Sequence, residues 1–321
     1  MVLIITAIAI HLLSGSNSIT PPKMPQSLPF IIGIGTHGNV SSEARALAVG
    51  VKYYRTDITL NQTQVSHIRE ESARYGASYL GILDYDTVPG GHSNTHWNLS
   101  VWDSSVAAAV SAYPEISTWE VWNEPLVPLF QTGYVNGSPY NYYMLIKSTY
   151  ETVKSIEPNA TIVCFGGAPI YDPPAFYWYA EVWSYGASKY CSAISIHAYT
   201  FDQPQDSLLL NESNNAELWA QGLAAYENMT GKPIWITETG MPAYSTNAYY
   251  FNQSVQKDFL VQAMDFFNGF KYVKRVYWYD LWGLSGGNDF GLLNLSEPGS
   301  GAPNAAWAAF LLLYNDSSLR G

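Results

Sequence analysis

Eight short apolar runs punctuate this chain at near-regular intervals: "FIIGIG" (30–35), "VKYYRTD" (51–57), "ASYLGILDY" (77–85), "STWEVWNE" (117–124), "ATIVCFGG" (160–167), "SAISIHAY" (192–199), "KPIWITE" (232–238) and "VKRVYWYDL" (273–281). Longer stretches fall between them, and several carry an apolar stripe at helical spacing. "SSEARALAV" follows the first run, "QTQVSHIREESARY" the second, "NNAELWAQGLAAYENM" the sixth and "NQSVQKDFLVQAMDFF" the seventh, while "PNAAWAAFLLLY" closes the set. In the seventh, Val255, Phe259, Leu260, Ala263 and Phe267 share one face. Strand–helix units repeated eight times predict an α/β fold, a single closed (β/α)8 TIM barrel over residues 29–321. An open doubly wound sheet would bring a glycine-rich phosphate loop after its first strand, and "GIGTHG" lacks that spacing. The segment 168–190, "APIYDPPAFYWYAEVWSYGASKY", is expected as a long aromatic loop bordering a groove.

Two segments precede the barrel. The apolar run Val2–Leu13 is short for a bilayer span and suits a signal peptide or N-terminal anchor over 1–18, although no Lys or Arg precedes it. The proline-rich "ITPPKMPQSL" (19–28) reads as a linker. Ten asparagines begin N-x-S/T with no proline at x: Asn39, Asn61, Asn98, Asn136, Asn159, Asn211, Asn228, Asn252, Asn294 and Asn315. Export and glycosylation are the expectation, with a secreted location or one anchored by the first segment. The two cysteines, Cys164 and Cys191, are expected as buried thiols, with a disulfide as the alternative.

The net charge of −11 argues against nucleic acid as a partner. The 25 Tyr and 11 Trp leave two outlets open, extra core packing and flat surfaces for sugars. His92 and His96 are four apart in a Gly/Ser/Asn loop, which favours solvated histidines over a metal pair, so no metal and no cofactor is expected.

Reactive side chains of such barrels sit at the C-terminal strand ends. Those ends offer His37, Arg55, Asp57, Asp84, Asn123, Glu124, His197, Tyr199, Glu238, Trp278, Asp280 and Trp282. Glu124 and Glu238 would face one another across the mouth. A facing carboxylate pair is what glycoside hydrolysis requires: one protonates the leaving oxygen, and the other attacks the anomeric carbon or activates water. Period-two alternation puts Glu120 deeper than Glu124, where a basic partner such as Arg55 would neutralise it.

"WEVWNEP" and "IWITETG", together with "GVKYYRTDI", "ISIHAY" and "VYWYDL…FGLLN", resemble the strand ends of clan A glycoside hydrolases, the family 5 and family 39 types being nearest. The order and spacing match from residue 30 onward. The resemblance implies a retaining enzyme with Glu124 as acid/base and Glu238 as nucleophile. It implies that Asn123 binds the sugar 2-hydroxyl, that Arg55 and Tyr199 orient Glu238 and hold it ionised, and that His37 and His197 bind substrate or tune the pair. Trp278 or Trp282 would form the floor under the reacting sugar. The expected partner is an oligo- or polysaccharide, first a β-glucan or β-mannan cut internally, with exo-acting β-xylosidase-like or β-glucosidase-like action and transglycosylation as alternatives. A silent carbohydrate-binding protein is the alternative of another class. A monomer is expected, touching membrane only through an uncleaved first segment.

Overall fold

The computed structural model describes residues 30–36, 40–93, 96–200, 208–212, 214–245, 251–285, 288–293 and 303–316. The leader and linker segments, His37, Asn39 and Asn294 lie outside the described residues. Eight parallel strands close a barrel: β1 Ile31–Gly35, β2 Tyr53–Asp57, β3 Ser78–Leu83, β4 Thr118–Val121, β5 Thr161–Pro169, β6 Ala193–Ala198, β7 Ile234–Thr239 and β8 Val273–Trp278. β8 pairs with β1 from Ile31↔Arg275 to Ile34↔Trp278 and completes the ring. A helix follows each strand: α1 Val40–Ala48, α2 Gln62–Tyr75, α3 Leu99–Ala112, α4 Pro139–Ile156, α5 Pro173–Ser184, α6 Asn215–Thr230, α7 Gln253–Asn268 and α8 Ala305–Asn315. The expected (β/α)8 barrel is the fold. A small antiparallel sheet of Tyr244–Ser245, Asn288–Asp289 and Leu284–Ser285 joins the loops after β7 and β8. Among the described residues no helix is long and apolar enough to cross a membrane.

The strands fill the barrel with Leu80, Val163, Ala193, Trp235 and Tyr277, and the Arg275 guanidinium sits 4.0 Å over the Trp235 ring. Their opposite faces pack under the helices, where Trp102, Trp122, Leu145, Phe259 and Phe267 are buried. Burying apolar area on both faces explains why the strands read as nearly continuous apolar runs.

Two expectations are corrected. The segment 168–190 holds a helix, α5, rather than one long loop. Asp172 caps it, accepting the Ala175 N–H at 3.1 Å, and a proline stands in its first turn. Pro-Pro reads as a breaker, but proline is tolerated at the first helical position because that N–H has no helical partner. The cysteines are also not free: Cys164 and Cys191 form a disulfide with Cα atoms 5.6 Å apart. Cys164 pairs with Ile194 in register, so Cys191 lies three residues before its level. Cys191 precedes the first residue of β6, and that approach, off the ladder, lets it reach a neighbouring strand.

Candidate active site

β4 ends at Val121, so Glu124 is not placed by strand alternation. The chain turns through left-handed conformations at Trp122 (φ 69°) and Glu124 (φ 47°). Such backbone costs about 1–3 kcal/mol per residue and persists only where its surroundings enforce it. The Trp122 N–H donates to Leu83 O at 2.8 Å, and its buried ring packs with Trp97 and Trp102, each centroid 5.7 Å away. The Glu124 N–H donates to Gly166 O at 2.6 Å. That carbonyl comes from a bulge in β5, where Phe165, Gly166 and Gly167 all have positive φ (83°, 53° and 83°). A Cβ on Gly166 would meet Trp122 O at 2.6 Å, and one on Gly167 would meet His197 Nε2 at 2.3 Å. Only glycine permits both the conformation and the approach.

Alternation does operate at Glu120, which is wholly buried. It accepts from Arg55 Nε at 2.6 Å and from Ser195 Oγ at 2.5 Å. Arg55 reaches in two further directions, with Nη1 donating to Glu238 Oε1 at 2.6 Å and Nη2 to Asn123 Oδ1 at 2.9 Å. Burial works against the guanidinium charge, but Glu120 and then Glu238 outweigh it, and the group is held protonated more firmly than a free arginine. The other oxygen of Glu238, Oε2, accepts from Tyr199 Oη at 2.6 Å. Burial first, and then the Glu238 charge, push the Tyr199 phenol well above its ordinary range, so it remains a donor.

β6 and β7 set His197 beside Glu238 in register. His197 Nδ1 lies 2.9 Å from Glu124 Oε1 and 3.5 Å from Glu238 Oε2. An oxygen of Glu124, a nitrogen of His197 and an oxygen of Glu238 all fall within 4.8 Å of one another. The two glutamates differ in exposure: the Glu124 side chain is 26% exposed and that of Glu238 9%. Glu124 opens on a cleft of about 560 Å³ bounded by Leu126, Tyr171, Asp172, Tyr199 and Trp219.

Six of the nine residues singled out from sequence meet here: Arg55, Asn123, Glu124, His197, Tyr199 and Glu238. Trp278 is fully buried and offers no face to a sugar. Tyr277 occupies the barrel interior, so the next ring points out to the helices, 6.2 Å from Phe259. Its Nε1 donates to Phe290 O at 3.4 Å. Trp282 is half-buried against the core at the exit of β8. His37 lies outside the described residues, as does the side chain of His92.

Three participants escaped the sequence reading. Ser195 joins Glu120 to Thr237 Oγ1 (2.5 Å) and accepts the Gly167 N–H (2.8 Å). Its signal was parity, since Ser195, His197 and Tyr199 share one face of β6. Thr237 shared the strand of Glu238 and carried no signal of its own. Tyr279 follows the interior parity of Tyr277 and stands edge-on to Tyr199 at 6.2 Å.

A family 39 glycoside hydrolase from the gut symbiont Bacteroides cellulosilyticus WH2 superposes with a TM-score of 0.68 at 19% identity, covering 89% of this chain and 63% of that one. The chain thus spans less than two thirds of that protein's length. A monomeric beta-xylosidase from Caulobacter crescentus CB15 gives 0.63 at 16% identity, over 90% and 69% of the two chains. A GH128 (subgroup II) endo-beta-1,3-glucanase from Sorangium cellulosum gives 0.60 at 14% identity, over 88% and 97%. At these identities the likeness is one of fold. No curated protein matches the chain in sequence. The sequence profile named "Glycosyl hydrolase catalytic core" matches residues 92–298, more than half of the chain, and the chain belongs to that family.

Proposed function

We propose that the protein is a secreted β-glycoside hydrolase acting by double displacement with retention of configuration. The approach of Glu124 and Glu238, oxygens within 4.8 Å, carries this reading. Retaining enzymes hold their carboxyl groups roughly 5–5.5 Å apart, and inverting ones leave room for a water at roughly 6.5–9.5 Å. Glu238, held by Arg55 and Tyr199 and largely shielded from water, is the nucleophile. Its carboxylate attacks the anomeric carbon while Glu124 gives a proton to the departing oxygen. In the second step Glu124 takes a proton from a water that attacks the same carbon, and the ester to Glu238 breaks. The greater exposure of Glu124 suits a group that must meet both leaving group and water. Asn123 has its oxygen occupied by Arg55, which leaves its NH2 to donate to the sugar 2-hydroxyl. His197, between the two glutamates, orients Glu124.

The favoured substrate is a β-glucan or β-mannan cut internally. The open cleft with the partly exposed rings of Tyr171 and Tyr199 in its walls supports this, as does the fold likeness to an endo-beta-1,3-glucanase. The likeness to a beta-xylosidase supports an exo-acting alternative. Transfer to a sugar acceptor would use the same residues. Secretion as a glycoprotein rests on the leader segment and the sequons, eight of whose asparagines fall in described residues and are all exposed.

Azide rescue tests the assignment. Glu238→Ala is expected to abolish turnover and to yield an inverted glycosyl azide. Glu124→Ala is expected to keep activity on aryl glycosides with good leaving groups and to give the retained azide. Swapped behaviours would reverse the roles, and full activity in both would place the chemistry elsewhere. Product profiles on β-glucan, mannan, xylan and aryl glycosides, with and without acceptor sugar, separate the substrate readings.

A further inference from the structure

The mouth of the barrel holds more negative charge than glycoside cleavage uses. Asp57 ends β2, and Asp84 and Asp86 follow β3 on one turn. An oxygen of each lies within 4.8 Å of an oxygen of each of the others. Glu124 and Glu238 stand at the same end of the barrel, with Glu120 deeper. The guanidinium among them, Arg55, already donates to Glu120, Glu238 and Asn123.

Asp84 is the innermost of the three, with no exposed surface. Its Oδ1 accepts the Asp86 backbone N–H at 2.9 Å. Its Oδ2 is buried and receives no hydrogen bond. One oxygen of this wholly buried carboxyl lies within 4.8 Å of oxygens of both Asp57 and Asp86, so the orphaned group belongs to the cluster. A buried acceptor without a donor costs about 1–3 kcal/mol, and more when charged.

We propose that Asp57, Asp84 and Asp86 bind a hard divalent cation of the Ca²⁺ or Mg²⁺ class. All three donors are carboxylate oxygens, the ligand set these ions take and one that suits softer metals poorly. Asp84 supplies a fixed inner ligand. Asp86, exposed, gives the ion a way in from solvent and leaves coordination positions for water. The cation satisfies Asp84 Oδ2 and offsets the charge of Asp57, which bears on the Arg55 guanidinium after Glu120 and Glu238. Any consequence for Glu238 rests on the glycosidase reading, whereas binding itself does not. The competing solution is a proton on Asp84, whose carboxyl burial and Asp57 push well above the usual range.

The test uses the full chain, stripped with EDTA and dialysed. Tb³⁺ is titrated while tyrosine and tryptophan are excited, since Tyr85 adjoins Asp84 and packs edge-on to Trp122 at 6.0 Å. The expected result is saturable sensitised emission, displaced by Ca²⁺ or Mg²⁺, with a rise in Tm in excess of whichever ion displaces it. Asp84→Asn should weaken Tb³⁺ binding about tenfold or more, and Asp86→Asn, at an exposed position, should weaken it while folding normally. Absence of saturable emission overturns the proposal. So does a titration that is unchanged in Asp86→Asn, or an Asp84→Asn protein that is as stable as the parent with neither showing metal dependence, which is the outcome for a protonated Asp84. No step requires activity, so a failed glycosidase assay leaves the result readable.

Discussion

Ser195→Ala is the most informative substitution. The hydroxyl lies beneath the site and contacts neither the cleft nor either of Glu124 and Glu238 directly, yet it ties together the supports of both. Removing it deletes the contact to buried Glu120 at 2.5 Å, worth about 1.5–3 kcal/mol as a hydrogen bond to a charged group. It also strands the Gly167 N–H, which costs about 1–3 kcal/mol if nothing replaces it. The two effects share one cavity and overlap, so about 3 kcal/mol of lost stability is expected. A typical domain survives that, since native stabilities run about 5–15 kcal/mol. The catalytic consequence should be selective. Gly167 anchors the bulge whose Gly166 carbonyl holds the Glu124 N–H, and Glu124 sits in a left-handed conformation that needs that hold. A displacement of the acid by about 1 Å can cost about 10²-fold. Glycosides with poor leaving groups need the proton of Glu124, and those with good ones do not. The assay is urea unfolding together with kcat/KM for two aryl glycosides of unlike leaving-group acidity. Loss by one common factor on both substrates, or unchanged stability, would refute the reasoning.

Gly167→Ala should be worse for activity than its single methyl suggests, because the new Cβ would lie 2.3 Å from His197 Nε2 at a φ of 83°; circular dichroism and kcat together check it. Reducing Cys164–Cys191 should cost about 3.5 kcal/mol for its 27-residue separation, read as a lower denaturation midpoint in reductant. A pH dependence is expected away from the site, at His67, which bridges α1 and α2 by contacting Glu43 at 2.6 Å and Glu71 at 3.8 Å. Burial opposes the His67 charge, but the hydrogen bond and charge of Glu43, then Glu71, raise its folded pKa above 6.5. Its contribution is therefore full below pH 6.5 and lost as pH rises through the raised value, and Glu71, pushed up chiefly by burial, changes in the same sense above pH 4.5. His67→Ala should flatten the fall in stability from neutral to alkaline pH, and a slope equal to the parent's would dismiss the bridge.

The barrel was legible because burial on both strand faces writes itself as short apolar runs, and helices with one wet face write themselves as stripes. α2 fell on the residues expected, with Asn61 capping one end and Gly76 in a left-handed conformation at the other. α5 was hidden because the prolines that begin it also end helices elsewhere. The site was legible as far as parity reached: Arg55, Glu120, His197 and Tyr199 follow it, while Glu238, next to the inward-facing Thr237, enters through a register shift in β7. It failed at Trp278, where the interior position of Tyr277 decides the facing and no composition signal reveals it. Glu124 was identified by its motif, while the bulge that holds it depends on a Gly–Gly pair that reads equally well as the end of a strand. Ser195 carried parity on β6 as its one signal, and a buried hydroxyl in a hydrogen-bond network otherwise looks, in sequence, like any other serine.

The disulfide has a bearing on how this protein can change. It closes residues 164–191 into a ring tied at its base, and that ring contains Ile170, Tyr171, Asp172 and Ala175 from one wall of the cleft. Residues within it can be exchanged while the crosslink keeps β5 and β6 together beneath. The ring is therefore a natural cassette: a set of variants confined to 170–182 would sample new cleft walls on an unchanged pair of glutamates.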